Sequence, residues 1–168
     1  MLNNDLSQQI KRNFPYKPTE EQENAVKSFA EFLFSPSADS VFLMKGYAGT
    51  GKTTLTSALV RTLDSLQRKV ILLAPTGRAA KVFSGYAEHP AYTIHKKIYR
   101  QKVFSNETDN FVANQNLHRN TLFIVDEASM IANEGLSGGH FGSGRLLDDL
   151  VQYVYNLSLI HISEPTRL

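Results

Sequence analysis

The residue types best suited to chemistry lie in one stretch of the chain, G-Y-A-G-T-G-K-T, from Gly46 to Thr53. It matches the pattern G-x-x-x-x-G-K-[ST] in full, with an apolar run before it and a segment of helical periodicity after it. Glycines let a backbone turn its N–H groups inward, where they bind phosphate oxygens, and the start of a helix adds a positive end. The stretch predicts a phosphate-binding loop. A plain glycine turn between strand and helix is the alternative.

Residues of this loop have predicted roles in holding a nucleoside triphosphate. Lys52 is expected to reach the β- and γ-phosphates, and the Thr53 hydroxyl to bind magnesium. The predicted nucleotide-binding residues of the loop and the start of its helix are Gly46, Gly49, Thr50, Gly51, Lys52, Thr53 and Thr54.

Two carboxylates, Asp126 and Glu127, follow the apolar run L-F-I-V and supply the second half of such a site. Ligands of open α/β sheets bind where the carboxyl ends of the strands meet. Asp126 is predicted to hold magnesium, directly or through water, and Glu127 to orient and deprotonate the attacking water. Lys52 and Glu127 are thus the predicted catalytic residues. An acidic pair after a strand is by itself often only a helix N-terminus. Joined to the loop, it favours nucleotide hydrolysis.

The net charge of +2 conceals a concentrated positive segment. Residues 65–106 contain eight Lys or Arg and one acid, Glu88, so this segment carries +7 and the rest of the chain −5. Such a segment on a near-neutral chain predicts a face that binds a polyanion. Charge alone leaves open the alternative of solvated surface lysines.

The elements that must position these residues alternate between buried strands and helices. Strands are predicted over 41–45, 70–74 and 121–125, each buried on both faces. Helices are predicted over 1–14, from the cap Thr19 to about 33, and over 52–66, 78–83, 93–99 and 146–155, with loops over 105–116 and 133–144. The alternation predicts an α/β fold with a parallel sheet and right-handed crossovers.

Composition excludes several other classes of protein. The chain has 168 residues, 42% hydrophobic and 20% charged, as expected for one soluble globular domain. Because cysteine is absent, a disulfide partner, a thiolate zinc site and a cysteine nucleophile are excluded. No apolar run approaches the ~18 residues of a membrane span, and residues 1–9 carry no signal pattern, so we expect no membrane partner and a cytoplasmic location.

Four successive motifs resemble those of one known family. In chain order they read G-Y-A-G-T-G-K-T, A-P-T-G-R-A-A-K, T-I-H and I-V-D-E-A-S-M. Over residues 17–155 the chain is similar to superfamily-one DNA helicases of the RecD/Dda type, and the A-P-T-G-R-A-A segment separates it from kinases and signalling GTPases. The resemblance implies a P-loop NTPase with a RecA-like parallel sheet flanked by helices, ATP and Mg²⁺ as cofactors, and single-stranded DNA as partner.

The resemblance also implies roles for individual residues. Gln22 looks like the contact to the adenine edge, although the segment T-E-E-Q equally predicts a helix cap at Thr19, and both roles are compatible. Two further motifs look like contacts to the DNA strand. Their residues are Thr76, Gly77, Arg78, Lys81, Thr93 and His95. Both motifs lie inside the +7 segment, so charge and resemblance agree on a DNA-binding face with little sequence preference.

The chain departs from this family toward its end. Nothing in it matches the glutamine-bearing sensor motif or a second RecA-like domain with arginine fingers. We expect residues 1–16 to be an extension and residues 17–156 an incomplete RecA-like domain with a small, three-stranded sheet. Residues 157–167, L-S-L-I-H-I-S-E-P-T-R, look like a translated sequencing adapter, so residues 157–168 are expected to be a non-native tail. A genuine strand is the alternative, because L-S-L-I-H-I alternates.

Three functions remain compatible with these residues. The first is the ATP-binding motor domain of a DNA helicase, in which hydrolysis drives movement along single-stranded DNA in the full-length protein. The second is a P-loop NTPase outside the helicases. The third describes the chain as it stands, a module that binds nucleotide and DNA without turnover.

Overall fold

The computed structural model describes residues 2–34, 40–101, 111–132, 142–155 and 159–165. The helices are α1 (Leu2–Arg12), α2 (Glu20–Leu33), α3 (Lys52–Ser65), α4 (Gly77–Ala87), α5 (Ile94–Ile98) and α6 (Leu146–Tyr155), with a 3-10 helix at Ala128–Met130. The strands are β1 (Val41–Gly46), β2 (Lys69–Ala74), β3 (Ala91–Thr93), β4 (Tyr99–Gln101), β5 (Phe111–Ala113), β6 (Thr121–Val125) and β7 (Leu159–Pro165).

Five of these strands form one sheet in the order β1-β7-β6-β2-β3, and all of its neighbouring pairs are parallel. The predicted α/β fold with a parallel sheet flanked by helices is confirmed. Because the strands are parallel, the segments that follow β1, β2 and β6 all leave from the same edge. That edge carries the phosphate loop, the A-P-T-G segment and the acidic pair.

The sheet is larger than the three strands predicted. β3 ends at Thr93, the first residue of the T-I-H motif. β7 lies between β1 and β6, where it pairs with residues 41–46 on one side and 122–125 on the other. For Leu159–Pro165 the structure shows the strand alternative, not a tail apart from the sheet. The adapter origin of this segment stays a prediction, and residues 156–158 and 166–168 lie outside the described residues.

Local predictions were wrong at three places. Helix α4 extends to Ala87 instead of ending near residue 83. Phe83 and Ala87 both pack into the core, and their burial stabilises another helical turn. Strand β5 lies inside the expected 105–116 loop and pairs antiparallel with β4. β4 also ends the helix expected to run to Tyr99, which closes at Ile98. Residues 102–110 and 133–141, which contain most of the two predicted loops, lie outside the described residues.

The core is divided between the two faces of the sheet. Alternate residues of the central strands point to opposite sides, so Leu72 and Ile124 pack with α2 and α3. Ile71 and Phe123 pack with α5 and α6. The prediction that β2 and β6 are buried on both faces is therefore confirmed.

Strand β1 differs from the central strands. Phe42 packs edge-on against Phe29 of α2 with ring centroids 5.6 Å apart, and Met44 is buried. Val41 and Leu43, on the other face, are 40% and 46% exposed. The prediction of a strand buried on both faces is wrong here, because within the described ranges no helix covers that side of β1.

Candidate functional site

The loop between β1 and α3 has the geometry of a phosphate cradle. Gly49 and Gly51 both adopt φ of +82°, which side-chain-bearing residues rarely take. A Cβ on Gly46 would lie 2.8 Å from Thr50 Oγ1, and one on Gly51 would lie 2.3 Å from Gln22 Nε2. Gly46 and Gly51, two of the four residues that the motif fixes, thus have a steric or conformational reason to be glycine, and the chain can approach a ligand closely.

Lys52 begins α3 and turns its side chain back over the loop. Its Nζ donates to the carbonyl oxygens of Gly46 at 2.5 Å and of Tyr47 at 2.7 Å. The ammonium group is therefore held inside the loop. The amino end of α3, which carries the positive end of the helix dipole, lies at the same loop. Thr53 follows in the first turn, with an exposed side chain. The Lys52 ammonium and the Thr53 hydroxyl thus lie at the positions from which the motif predicts contacts to phosphate and magnesium.

Gln22 contacts this loop from α2. The predicted helix cap is confirmed: the Thr19 side chain accepts from Gln22 N, and Gln22 Oε1 accepts from Thr19 N at 3.0 Å. Gln22 Nε2 also donates to the carbonyl of Thr50 at 3.2 Å. One side chain thus caps its helix and contacts the phosphate loop. Its contact to adenine stays a prediction.

Thr54, the last predicted nucleotide-binding residue, has a partner from the N-terminal extension. Its Oγ1 lies 3.1 Å from the hydroxyl of Tyr16, whose side chain is largely exposed. The extension therefore reaches the first turn of α3, which the sequence did not predict.

The acidic pair lies at the carboxyl end of β6, as predicted. The backbone N–H of Asp126 still donates to Leu73 of β2 at 3.0 Å, so its position is fixed by the sheet. Glu127 then adopts φ of +54°, a left-handed conformation that costs a residue of its type about 1–2 kcal/mol. This turn starts the 3-10 helix Ala128–Met130. Such strain is concentrated at functional sites.

A tyrosine that the sequence did not single out contacts this pair. The hydroxyl of Tyr86, near the end of α4, donates to Asp126 Oδ2 at 2.5 Å. Burial, together with the charge of Asp126, raises the pKa of the Tyr86 hydroxyl far above its ordinary value, so the phenol remains the donor. No local pattern signals this contact, because the two residues are 40 positions apart.

The donor groups at this edge fit magnesium bound together with a nucleotide. Among the described residues, no group of three or more His, Cys, Asp or Glu side chains could hold a metal alone. Mg²⁺ typically takes one or two carboxylates together with substrate phosphates and waters. The Asp126 carboxylate and the Thr53 hydroxyl are hard oxygen donors of that kind.

A groove of about 500 Å³ lies beside the carboxyl ends of β2 and β3. It is lined by Gly77, Ala80, Lys81, Ser84, Gly85, Ala91, Tyr92, Thr93 and Lys96. Three of the residues predicted from two separate DNA motifs, Gly77, Lys81 and Thr93, therefore share one surface. Tyr92 and Lys96 were missed. The +7 segment indicated Lys96 only as one of several basic residues.

The other predicted DNA contacts lie outside the residues that line this groove. Thr76 caps α4, its side chain accepting from Ala79 N at 3.1 Å, and Arg78 is exposed on the first turn. His95 is half-buried with its ring 5.8 Å from that of Tyr99. Burial lowers the pKa of His95, which favours the neutral form of the imidazole. Their contacts to DNA stay predictions.

Comparison with known proteins agrees with this geometry. Residues 17–138, which include the loop, the groove and the acidic pair, match the family described as an AAA domain. The chain belongs to the AAA domain family. Over 107 residues it is 32% identical to the multifunctional conjugation protein TraI of Escherichia coli K12, covering 60% of this chain and 6% of TraI. Over 90 residues it is 37% identical to the ATP-dependent DNA helicase dda of enterobacteria phage T4, covering 52% of this chain and 20% of dda.

A third relative is the uncharacterized protein MJ1519 of Methanocaldococcus jannaschii, 28% identical over 139 residues, or 76% of this chain and 11% of MJ1519. The AAA-domain chain thus spans at most a fifth of the relatives named here. Because the family model matches and an ATP-dependent DNA helicase is among these relatives, the chain is a helicase-like P-loop domain. Its family uses nucleotide and usually Mg²⁺. None of its described helices is both long and apolar enough to cross a bilayer.

Proposed function

We propose that this AAA-domain chain is the ATP-binding motor domain of an ATP-dependent DNA helicase of the RecD/Dda type. In the longer protein, ATP hydrolysis would drive movement along single-stranded DNA. The observation that carries the proposal is the shared sheet edge: the phosphate loop, the acidic pair and the groove all follow the carboxyl ends of parallel strands. The similarity to an ATP-dependent DNA helicase supports it.

The residues at the loop divide the work of holding ATP. Loop N–H groups bind the phosphate oxygens, and Lys52 exchanges its bonds to the Gly46 and Tyr47 carbonyls for bonds to the phosphates. Thr53 and Asp126 would hold Mg²⁺, which would supply positive charge against the charge that develops during phosphoryl transfer. Glu127 orients the attacking water and accepts its proton.

The groove suits a single strand of DNA. Its small residues, such as Gly77 and Gly85, let a sugar–phosphate backbone approach closely, and Lys81 and Lys96 supply positive charge. Tyr92 is 39% exposed and offers a ring on which a base can stack. The Nζ of Lys97 lies 5.3 Å from the centre of the Tyr92 ring, so the ring also makes a cation–π contact.

Salt dependence of DNA binding tests the groove. The double variant Lys81→Ala/Lys96→Ala is expected to bind oligo-dT more weakly and with a shallower dependence on salt. Each phosphate contact on a single strand contributes about 0.7 to the slope of log K against log salt concentration, so the slope should fall by about 1.4. Fluorescence anisotropy at several salt concentrations measures it.

Lys27→Ala is the matched control, since Lys27 is exposed on α2, away from the groove. It should leave the slope unchanged. An unchanged slope in the double variant would remove the groove from the proposal, whereas loss of oligo-dT binding only together with ATP binding would point to misfolding.

The positions of Arg61 and Arg78 support a narrower function, in which the chain binds nucleotide without turnover. Arg61 is paired with Glu88 at 2.8 Å on the surface, and Arg78 is exposed on the first turn of α4. An arginine that stabilises the transferring phosphoryl group is worth ~10³–10⁵ in rate. We therefore propose that this chain alone binds Mg–ATP but hydrolyses it far below about 1 s⁻¹, a rate typical of working enzymes. Steady-state phosphate release with saturating oligo-dT measures this, and a faster rate would show that the cation is supplied within the chain or by self-association.

A further inference from the structure

Tyr86 is anchored at three points around the proposed nucleotide site. Its hydroxyl donates to Asp126 Oδ2, and its ring stacks on Phe83 with centroids 5.2 Å apart and planes 29° from parallel. Its backbone carbonyl accepts a bond of 2.8 Å from Ser57 Oγ in α3, the helix that begins with Lys52. The tyrosine therefore connects the helix of the phosphate loop to the carboxylate at the end of β6. Neither family motif nor local pattern assigns it a role.

The bonds to Asp126 fix its carboxylate without using up its oxygens. Oδ1 accepts from the backbone N–H of Glu127 at 3.0 Å, and Oδ2 accepts from Tyr86. A carboxylate oxygen has two lone pairs, so each oxygen keeps one for a metal ion or a metal-bound water. Two donors from different elements hold the side chain in one rotamer. The ordering that metal binding would otherwise require is then already present in the free protein.

We infer that Tyr86 is a positioning residue, whose hydroxyl holds Asp126 in the orientation that binds Mg²⁺ together with ATP. The inference rests on the proposed nucleotide function and deepens it. Partners of this kind, bonded to a metal ligand and not to the metal, typically change metal affinity by 10–100-fold. A role limited to packing would instead lie in the ring, which stacks on Phe83 and is half-buried against the core.

The variant Tyr86→Phe separates these two roles, because it keeps the ring and removes only the hydroxyl. Binding of a fluorescent ATP analogue is titrated with MgCl₂, below the thermal midpoint of each protein. We expect the Mg²⁺ concentration at half-saturation to rise about 10-fold, while affinity for the analogue in EDTA stays within about 2-fold of the parent. Ser57→Ala, which releases the Tyr86 carbonyl, should shift the midpoint in the same direction by less.

Tyr99→Phe is the matched control. The hydroxyl of Tyr99 donates to Asp149 Oδ2 at 2.6 Å, a bond of the same kind in the cluster on the other face of the sheet. This variant should leave the Mg²⁺ midpoint unchanged. An unchanged midpoint in Tyr86→Phe would overturn the inference. So would a lower midpoint, which would mean that the hydroxyl competes with the ion.

Asp126→Asn separates failure of this inference from failure of the proposed function. If Asp126→Asn raises the Mg²⁺ midpoint and Tyr86→Phe does not, Asp126 binds the metal without help from Tyr86, and only the inference fails. If Asp126→Asn leaves the midpoint unchanged as well, the magnesium role of Asp126 in the proposed function is wrong. Absence of any ATP-analogue binding by the parent chain would refute the nucleotide function itself.

Discussion

Replacing Lys52 with alanine is expected to remove most of the affinity of this chain for ATP. The ammonium group of Lys52 lies within the loop, 2.5 Å from the carbonyl of Gly46 and 2.7 Å from that of Tyr47. Charge-assisted bonds of this kind contribute about 1.5–3 kcal/mol each, so losing the contact to phosphate should weaken binding by about 10- to 100-fold. Titration of a fluorescent ATP analogue with saturating Mg²⁺ measures the change.

Two further variants show whether the effect belongs to the position and the shape of this cation. Lys69→Ala removes an exposed lysine at the amino end of β2, far from the loop edge of the sheet, and should bind as the parent does. Lys52→Arg keeps the charge but replaces a compact ammonium with a planar fork, and it should recover only part of the affinity. Equal affinity of Lys52→Ala and parent would contradict the phosphate-loop assignment.

The parts of the site that could be predicted are those that depend on residues close together in the sequence. The glycines of the loop, the capping box of Thr19 and Gln22, and the apolar runs of β2 and β6 each depend on neighbours a few positions away. Such patterns fix backbone conformation directly. Because the sheet is parallel, placing the strands also places the loop and the acidic pair at one edge.

The parts that could not be predicted depend on contacts between distant residues. The bond from Tyr86 to Asp126 joins the end of α4 to the end of β6, and the groove joins the start of α4 to β3. Neither leaves a periodic signal. The exposed face of β1 was missed for a related reason: an apolar run predicts a strand, but only the packing of whole helices decides which of its faces are covered.

Removing residues 157–168 is expected to destabilise the domain by an amount comparable to its whole stability. β7 lies between β1 and β6, and it is the described strand that pairs with β1, through Val41–Gly46. Without it, β1 and the phosphate loop that follows would lose their hydrogen-bonded link to the sheet. A domain has only ~5–15 kcal/mol of net stability, and each lost backbone bond weakens it by about 1 kcal/mol. Thermal unfolding and ATP-analogue binding of the chains ending at 156 and 168 measure the loss.

The position of this strand follows from the space between its neighbours. Parallel strands lie about 4.8 Å apart, so β1 and β6 leave room for one strand, whose backbone alone satisfies both ladders. An alternating segment of foreign origin could occupy that space, which makes the adapter prediction and the observed pairing compatible.

Replacing residues 157–168 by a Gly-Ser linker of equal length should therefore destabilise the chain as deletion does, because glycine-rich chains form poor strands. Ile162→Pro should have a large part of the same effect, since proline cannot donate to a ladder in a central strand. If deletion, linker and proline variants all unfold at the midpoint of the parent, the strand contributes nothing to the fold, and the segment is a tail.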